Sequence, residues 1–107
     1  MGIEIDLTDK CAYTHQMEIE FDSEKAKANP INHEGVTFEE AKLVLLDPYV
    51  LTREDRNAEG EQRFVSLGMG GKGRILVVVW TLRGERIRII SAWKASQPQR
   101  RRYEQQF

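Results

Sequence analysis

The sequence predicts a single α+β domain: two N-terminal helices packed on a mainly antiparallel sheet of four to five strands, with a C-terminal helix or tail. Three observations predict this architecture. The 107 residues suffice for one hydrophobic core but not for two. Apolar residues recur at helical spacing between Phe38 and Leu45. After Gln62 the chain consists largely of three strand-sized segments separated by glycine-containing turns.

Residues 1–16 are expected to form a weakly ordered leader, and residues 17–107 the single domain. The leader contains acidic groups and lacks the apolar stretch of a secretory signal. Cys11, the only cysteine, has no partner for a disulfide. Both observations favour a cytoplasmic protein. The first strand is predicted at Met17–Phe21, where apolar and acidic residues alternate with the period of a strand that buries one face.

The first helix is predicted to be short. Asp22 or Ser23 can cap its start, and the helix then runs through Ala28. We expect Asn29-Pro30 to close it, because the residue before a proline avoids the helical region. The chain then turns, and Gly35 is free to take the positive φ that separates two helices.

The second helix begins with a predicted capping box, in which the Thr37 hydroxyl and the Glu40 carboxylate each satisfy an unpaired backbone amide. Its apolar face, expected to lie on the sheet, comprises Phe38, Ala41, Val44 and Leu45. Asp47-Pro48 ends the helix. Residues 49–51 then predict a short strand, and residues 52–62 an exposed acidic loop.

Three strands make up most of the remaining chain. They are predicted over residues 63–68, 74–82 and 85–93, as a meander of hairpins. The glycines at 68, 70, 71 and 73 fall between two strands rather than before a helix, which favours a hairpin over a phosphate-binding loop. Ile75–Trp80 is apolar on both faces, as in a strand covered by helices or by a partner chain.

The residue pattern of the last strand predicts that one face of the sheet is basic. Ile87 and Ile89 point to one side, whereas Arg86, Arg88 and Ile90 point to the other. Beyond it, Gln97–Phe107 is expected to form an arginine-rich helix or tail, with Pro98 allowed in its first turn.

The net charge of −1 conceals two halves of opposite charge. Residues 17–62 carry five basic and twelve acidic groups, a net −7, and residues 1–16 add a net −2. Residues 63–107 carry ten basic and two acidic groups, a net +8. The basic half could attract a polyanion through phosphate contacts. Alternatively, the two halves pair with each other across the fold. No apolar stretch has the length of a membrane span, and no zinc-ligand or paired-carboxylate motif occurs.

A series of short segments between Ile19 and Glu104 carries a family resemblance. It comprises Phe21–Ala26 with Asn29, His33–Ala41, Asp47-Pro48, Glu61–Arg63, Gly68, Gly73-Arg74, Thr81–Arg83, Arg88–Ala92 and Arg102–Glu104. In this order the segments resemble the BrnT family of type II toxins. The chain departs from the family pattern at Asn32, where lysine is usual, at the additional residue Glu34, and at Trp93, where many members carry arginine.

The resemblance implies a RelE-like α+β fold and an endoribonuclease that cleaves RNA and inhibits translation. It also implies neutralisation by a BrnA-type antitoxin, a ribbon-helix-helix dimer. The expected assembly is a hetero-oligomer of toxin and dimeric antitoxin that meets DNA only through the antitoxin. No cofactor, metal or membrane partner is expected.

The candidate catalytic arginines are Arg63, Arg83 and Arg88. RNA cleaves itself when its 2′-hydroxyl is deprotonated and the charge on the phosphoryl oxygens is neutralised, which needs no metal. Arginine forks suit that neutralisation. Because these three residues come from adjacent strands, a twisted sheet could converge them on one phosphate, with Arg74 on a flanking phosphate and Arg86 as a further RNA contact. The alternative is that they pair with the acidic loop or helix.

His33 and Lys94 complete the catalytic candidates. An unperturbed histidine titrates near pH 6.5 and can act as acid or base, but a structural histidine that is hydrogen-bonded to backbone is common in a turn between helices. Lys94 and Tyr103 are alternatives for proton transfer or phosphate contact, and Tyr103 is a candidate RNA contact. Trp93 could stack a nucleobase or contact the antitoxin. For Trp80, core packing is favoured.

Two other functions compete with the ribonuclease hypothesis. One is a non-catalytic module that binds nucleic acid with the same basic face. The other is a protein-interaction domain whose basic face recognises an acidic partner.

Overall fold

The structure, a computed structural model, describes residues 18–107. The predictions for the leader and for Met17 lie outside this range. The elements within it are β1 (Glu18–Phe21), α1 (Ser23–Asn32), α2 (Phe38–Leu45), β2 (Leu51–Asp55), β3 (Arg63–Met69), β4 (Ile75–Arg83), β5 (Arg86–Lys94) and α3 (Gln97–Glu104). None of these helices is both long and apolar enough to cross a membrane.

The five strands form one mixed sheet in the order β1-β5-β4-β3-β2. The glycine-containing turns make β3, β4 and β5 an antiparallel meander, as predicted, and β2 adds to it along β3. β1 pairs with β5 in parallel, with Glu20 opposite Arg88. The chain is therefore an α+β domain whose first strand returns to lie beside its last.

Each face of the sheet carries its own core. On the face that we call the helix face, Leu76, Val78 and Trp80 of β4 pack with buried residues of α2. Those residues are the four that the helical spacing predicts, namely Phe38, Ala41, Val44 and Leu45. On the opposite face, the outer face, Ile75 and Val77 pack with Tyr103 of α3. β4 is thus buried on both sides, in agreement with its continuous apolar run.

The prediction that Asn29-Pro30 ends the first helix is wrong, because α1 continues to Asn32 with Pro30 inside it. The Asn29 side chain is buried and donates hydrogen bonds of 2.8 Å to the carbonyls of Val36 and Ala92. Its Oδ1 also accepts the Ala92 amide at 3.2 Å. The two bonds to Ala92 fasten α1 to β5, and the bond to Val36 holds the segment that follows α1. The proline removes a single backbone donor in return. Gly35 has a φ of +80°, as expected of the turn that follows.

The prediction of an exposed loop over residues 52–62 is wrong for its first part. Residues 52–55 belong to β2, which pairs with β3 from Leu51 opposite Leu67 to Asp55 opposite Arg63. β2 is an edge strand, and charged side chains of the kind that protect such an edge hide its strand pattern. Of residues 49–51, only Leu51 lies in the strand.

Two local details also differ from expectation. The Thr37 hydroxyl accepts the Glu40 amide at 3.0 Å, but the Glu40 carboxylate binds Arg74 instead of closing the capping box. In β5 a bulge leaves Ile90 without a partner, since Trp80 faces Ile89 and Val79 faces Ser91. Ile90 therefore does not continue the face of Arg86 and Arg88, and the alternation resumes one residue later.

Candidate active site

Four arginines share the outer face at the end of the sheet that α3 leaves uncovered. Strand register places Arg63, Thr81 and Arg88 side by side across β3, β4 and β5, and sets Arg83 opposite Arg86. Neighbouring strands lie about 4.8 Å apart, so the backbones of Arg63 and Arg88 are about 10 Å apart. We call Arg63, Arg83, Arg86 and Arg88 the guanidinium cluster.

Glu61 bridges the first pair of the cluster. Its carboxylate lies 3.7 Å from Arg63 Nε and 3.5 Å from Arg83 Nη2. These are ion-pair distances beyond hydrogen-bond length, and Arg63 Nε is buried without a hydrogen-bond partner among the described residues. Two guanidinium groups thus meet around one anion and keep N–H groups that the anion does not satisfy.

Glu20 bridges the second pair more tightly. Arg88 donates a hydrogen bond of 2.8 Å from Nε to Glu20, and Arg86 Nη1 lies 3.4 Å from the same carboxylate. The hydrogen bond from Arg88 lowers the pKa of Glu20 below its ordinary value. Arg86 also contacts Glu18 at 3.3 Å. The structure therefore brings the predicted arginines to one face as two acid-bridged pairs, Arg63 with Arg83 at Glu61 and Arg86 with Arg88 at Glu20.

Arg74 lies apart from the cluster. It directly precedes β4, about 30 Å along the strand from Arg83 at a rise of 3.3 Å per residue. Its Nε and Nη2 donate hydrogen bonds of 2.6 and 2.9 Å to Glu40, whose side chain is 1% exposed. These bonds lower the pKa of Glu40 and raise that of Arg74. Arg74 thus ties α2 to the β3–β4 hairpin, and the structure does not bring it to a phosphate held by the cluster.

His33, Trp93 and Lys94 are gathered in a separate recess of about 430 Å³, which Asn32 and Glu34 also line. The His33 and Trp93 rings lie 5.8 Å apart between centroids, and Lys94 Nζ lies 3.7 Å from Glu34. Lys94 is six residues along β5 from Arg88, or about 20 Å at the strand rise. The structure therefore joins His33 to Lys94 and Trp93, but separates all three from the guanidinium cluster.

The remaining aromatic candidates belong to the core. Tyr103 is 3% exposed, and its hydroxyl donates a hydrogen bond to the Asp47 carboxylate. Burial, together with that carboxylate, raises the pKa of Tyr103 well above its ordinary value. The structure thus places Tyr103 between α3 and the sheet and not on a surface that RNA reaches. Trp80 stacks on Phe64 and donates to Ser66, which agrees with the favoured core interpretation.

A cleft of about 310 Å³ between α3 and the outer face was not anticipated from the sequence; we call it the α3 cleft. Its floor is apolar and includes Leu51, Val65 and Val77. Its rim carries Arg53, Gln99 and Arg102. Arg53 was not a candidate because it lies in the segment predicted as a loop. Arg102 was not singled out as a cleft residue because the sequence of α3 does not distinguish it from the neighbouring arginines.

Glu61 is a further residue that sequence reasoning did not single out, although it belongs to the Glu61–Arg63 segment of the family resemblance. Its position two residues before Arg63 is the signal that could have indicated it, because residues at that spacing share a face in an extended chain. Within residues 18–107, no three His, Cys, Asp or Glu side chains are grouped so that they could hold a metal ion.

The fold and this site define a small α+β domain with a mixed five-stranded sheet whose outer face presents an arginine cluster. Residues 21–98 match the family described as the ribonuclease toxin BrnT of type II toxin-antitoxin systems, and the chain belongs to that family. The resemblance drawn from the sequence segments is thereby confirmed. A solved structure, that of the Brucella abortus ribonuclease toxin BrnT, matches with a TM-score of 0.56 and 21% identity, over 76% of this chain and 99% of that chain. That likeness shows a shared fold. A search of curated proteins finds no match.

Proposed function

We propose that this chain is an endoribonuclease that cleaves RNA at the guanidinium cluster without a metal ion and thereby inhibits translation in the cytoplasm. One observation carries the proposal: Arg63 and Arg83 both reach a single carboxylate, that of Glu61. A phosphodiester is an oxyanion of similar size, and arginine forks bind phosphate oxygens at least as well as carboxylates. An RNA phosphate can therefore occupy the N–H groups that Glu61 leaves unsatisfied.

The chemistry at this position is an in-line attack within the RNA. The 2′-hydroxyl gives its proton to the Glu61 carboxylate, and the 2′-oxygen forms a bond to the adjacent phosphorus. Arg63 and Arg83 neutralise the charge that builds on the phosphoryl oxygens. The bond to the 5′-oxygen breaks, that oxygen takes a proton from water, and the hydroxide so formed takes back the proton held by Glu61. The products are a 2′,3′-cyclic phosphate and a 5′-hydroxyl end.

The other predicted residues are assigned supporting roles. Arg88 and Arg86 would hold a neighbouring phosphate once Glu20 yields to it. His33 and Lys94 lie too far from the cluster to act on the same linkage, so we propose that they and Trp93 contact a distal part of the RNA. We assign Arg74 and Tyr103 to stabilising the fold rather than to contact with RNA.

The antitoxin would neutralise this site by covering the outer face. Membership in a type II toxin family implies an antitoxin partner. We propose a BrnA-type ribbon-helix-helix dimer, a RelE-like toxin fold within a hetero-oligomer, and DNA contact through the antitoxin alone. Acidic side chains of the antitoxin would take the places that Glu61 and Glu20 hold in the free chain, because both carboxylates are surface groups that a competing anion can displace.

The decisive experiment is RNA cleavage by the purified chain in EDTA. We expect 2′,3′-cyclic phosphate ends, and we expect Arg83→Ala to lose most of the activity while it keeps its circular dichroism spectrum. Arg56→Ala, which removes the same charge from the loop after β2, serves as the matched control and should retain activity. Salt-sensitive RNA binding with intact strands would instead favour a binding module, and no RNA binding at low salt would favour a protein-interaction domain.

A further inference from the structure

We infer that the α3 cleft is a nucleotide subsite, in which the apolar floor receives the base of a nucleotide next to the scissile linkage and Arg53 and Arg102 hold its phosphate. The inference rests on the proposed function for the position of the linkage. It adds a binding site and two residues that the catalytic assignment does not use.

Charge is the first support. Each of the four arginines in the guanidinium cluster has a carboxylate within 4 Å. Arg53 and Arg102 have none among residues 18–107, although both stand at the rim of one cleft. Two guanidinium groups without an internal partner attract an anion from outside, and their planar forks suit a phosphate.

The shape of the cleft is the second support. Its volume of about 310 Å³ lies at the lower limit for small-molecule sites and suits one nucleotide better than a folded segment of a partner protein. Leu51, Val65 and Val77 offer an apolar surface for the face of a base. Gln99 accepts the Ser96 amide through Oε1 at 2.8 Å, so its amide nitrogen remains available to donate to a base carbonyl.

The position of the cleft is the third support. Val65 follows Arg63 by two residues on the same face of β3, a step of about 7 Å, and Arg53 lies directly opposite Val65 in β2. The cleft therefore opens beside the guanidinium cluster. A strand of RNA that leaves a phosphate held by Arg63 passes over the floor within one nucleotide.

The test is the affinity for RNA that cannot be cleaved. Fully 2′-O-methylated RNA is used as a dinucleotide, which spans only the scissile linkage, and as a hexanucleotide, which reaches beyond it. The double variant Arg53→Ala/Arg102→Ala should raise the Kd of the hexanucleotide about tenfold or more and that of the dinucleotide less than about twofold. The salt dependence of hexanucleotide binding should also become shallower, by about 0.7 in the log–log slope for each phosphate that the variant no longer neutralises.

The matched control is Arg56→Ala/Arg100→Ala, which removes the same charge from two exposed arginines that do not line the cleft. Arg53 and Arg102 are also exposed and make no ion pair in the described part of the chain, so neither double variant should alter the melting temperature appreciably. The lysine pair Arg53→Lys/Arg102→Lys should recover part of the affinity, because it restores charge without the planar fork.

The outcomes separate this inference from the proposed function. If the wild type cleaves RNA in EDTA but the cleft variant binds both oligonucleotides as its control does, the subsite is refuted and the ribonuclease stands. If the cleft variant loses hexanucleotide affinity but the wild type never cleaves RNA, the subsite stands and the catalytic proposal fails. Loss of antitoxin binding with unchanged RNA affinity would assign the cleft to a protein partner and overturn the inference.

Discussion

Arg88 donates a hydrogen bond of 2.8 Å to Glu20 across the parallel pair of β1 and β5. The first strand of the described chain thereby places an acidic group on the basic outer face. The opposite charges of the two halves of the sequence therefore meet in the fold, both at the candidate site and away from it, as in the pair of Arg74 with Glu40. Glu20 is partly exposed and can be displaced, so the bond restrains Arg88 without burying it.

Substitution Glu20→Gln should strengthen RNA binding. The substitution removes the anion that binds the guanidinium groups of Arg88 and Arg86, and the outer face gains one unit of net positive charge. We expect the Kd for a short single-stranded RNA to fall about two- to fivefold at low salt, with the gain shrinking as salt screens the surface. Glu18→Gln is the control, because Glu18 is 75% exposed and, among residues 18–107, its ion pair is with Arg86 and not with Arg88. Equal effects of the two substitutions would show that Arg88 has no particular part in binding.

Substitution Arg74→Ala should destabilise the fold and leave RNA binding intact. Removal of the guanidinium leaves the buried Glu40 carboxylate without its partner. Loss of one member of a buried ion pair costs about 3–5 kcal/mol, and because Arg74 is 31% exposed we expect about 2–4 kcal/mol of unfolding free energy by urea titration. The apolar pair Glu40→Leu/Arg74→Met should recover most of it. A large loss of RNA affinity in the folded Arg74→Ala variant would show that Arg74 does bind a phosphate, as the sequence analysis predicted.

The same pair predicts a pH dependence of stability. Because the hydrogen bond from Arg74 holds the pKa of Glu40 below its ordinary value of 4.5, the folded state favours the ionised carboxylate. Its contribution is therefore fully present above about pH 4.5 and is lost as the pH falls through the lowered pKa. The difference in unfolding free energy between the wild type and Glu40→Gln should shrink between pH 6 and pH 3. A difference that stays constant over that interval would contradict the assignment.

The local signals in the sequence predicted much of the fold. Alternation and glycine turns indicated β3, β4 and β5, and helical spacing indicated the buried face of α2. What they could not show were contacts distant in sequence. The three hydrogen bonds of Asn29 connect it with residues as far away as Ala92, and they override the local preference before Pro30.

The candidate site likewise has one part that local sequence patterns predict and another that they do not. The alternation along β5 suffices to place Arg86 and Arg88 on one face, because side chains in a strand alternate strictly. Arg83, predicted in the turn after residue 82, joins that face because β4 extends to it. The carboxylates that bridge them depend on register and on β1, which local patterns do not specify. The separation of Lys94 from Arg88 follows from strand rise alone, and it argues against proton transfer by Lys94 at a phosphate that Arg88 holds.

Substitution Glu61→Gln separates a catalytic carboxylate from a passive charge partner of Arg63 and Arg83. Glutamine keeps the size of glutamate but cannot accept the proton of the 2′-hydroxyl. Since a positioned base contributes about 10²–10⁴-fold, we expect kcat to fall by about 100-fold or more, with KM unchanged or lower because a negative charge next to the phosphate is gone. Glu59→Gln, in the same loop, should leave both constants nearly unchanged, and Glu61→Asp should retain part of kcat. A Glu61→Gln variant that binds RNA more tightly and cleaves it as fast as the wild type would reduce Glu61 to a group that merely masks the arginines, and the proton acceptor would then have to be sought in the RNA or in solvent.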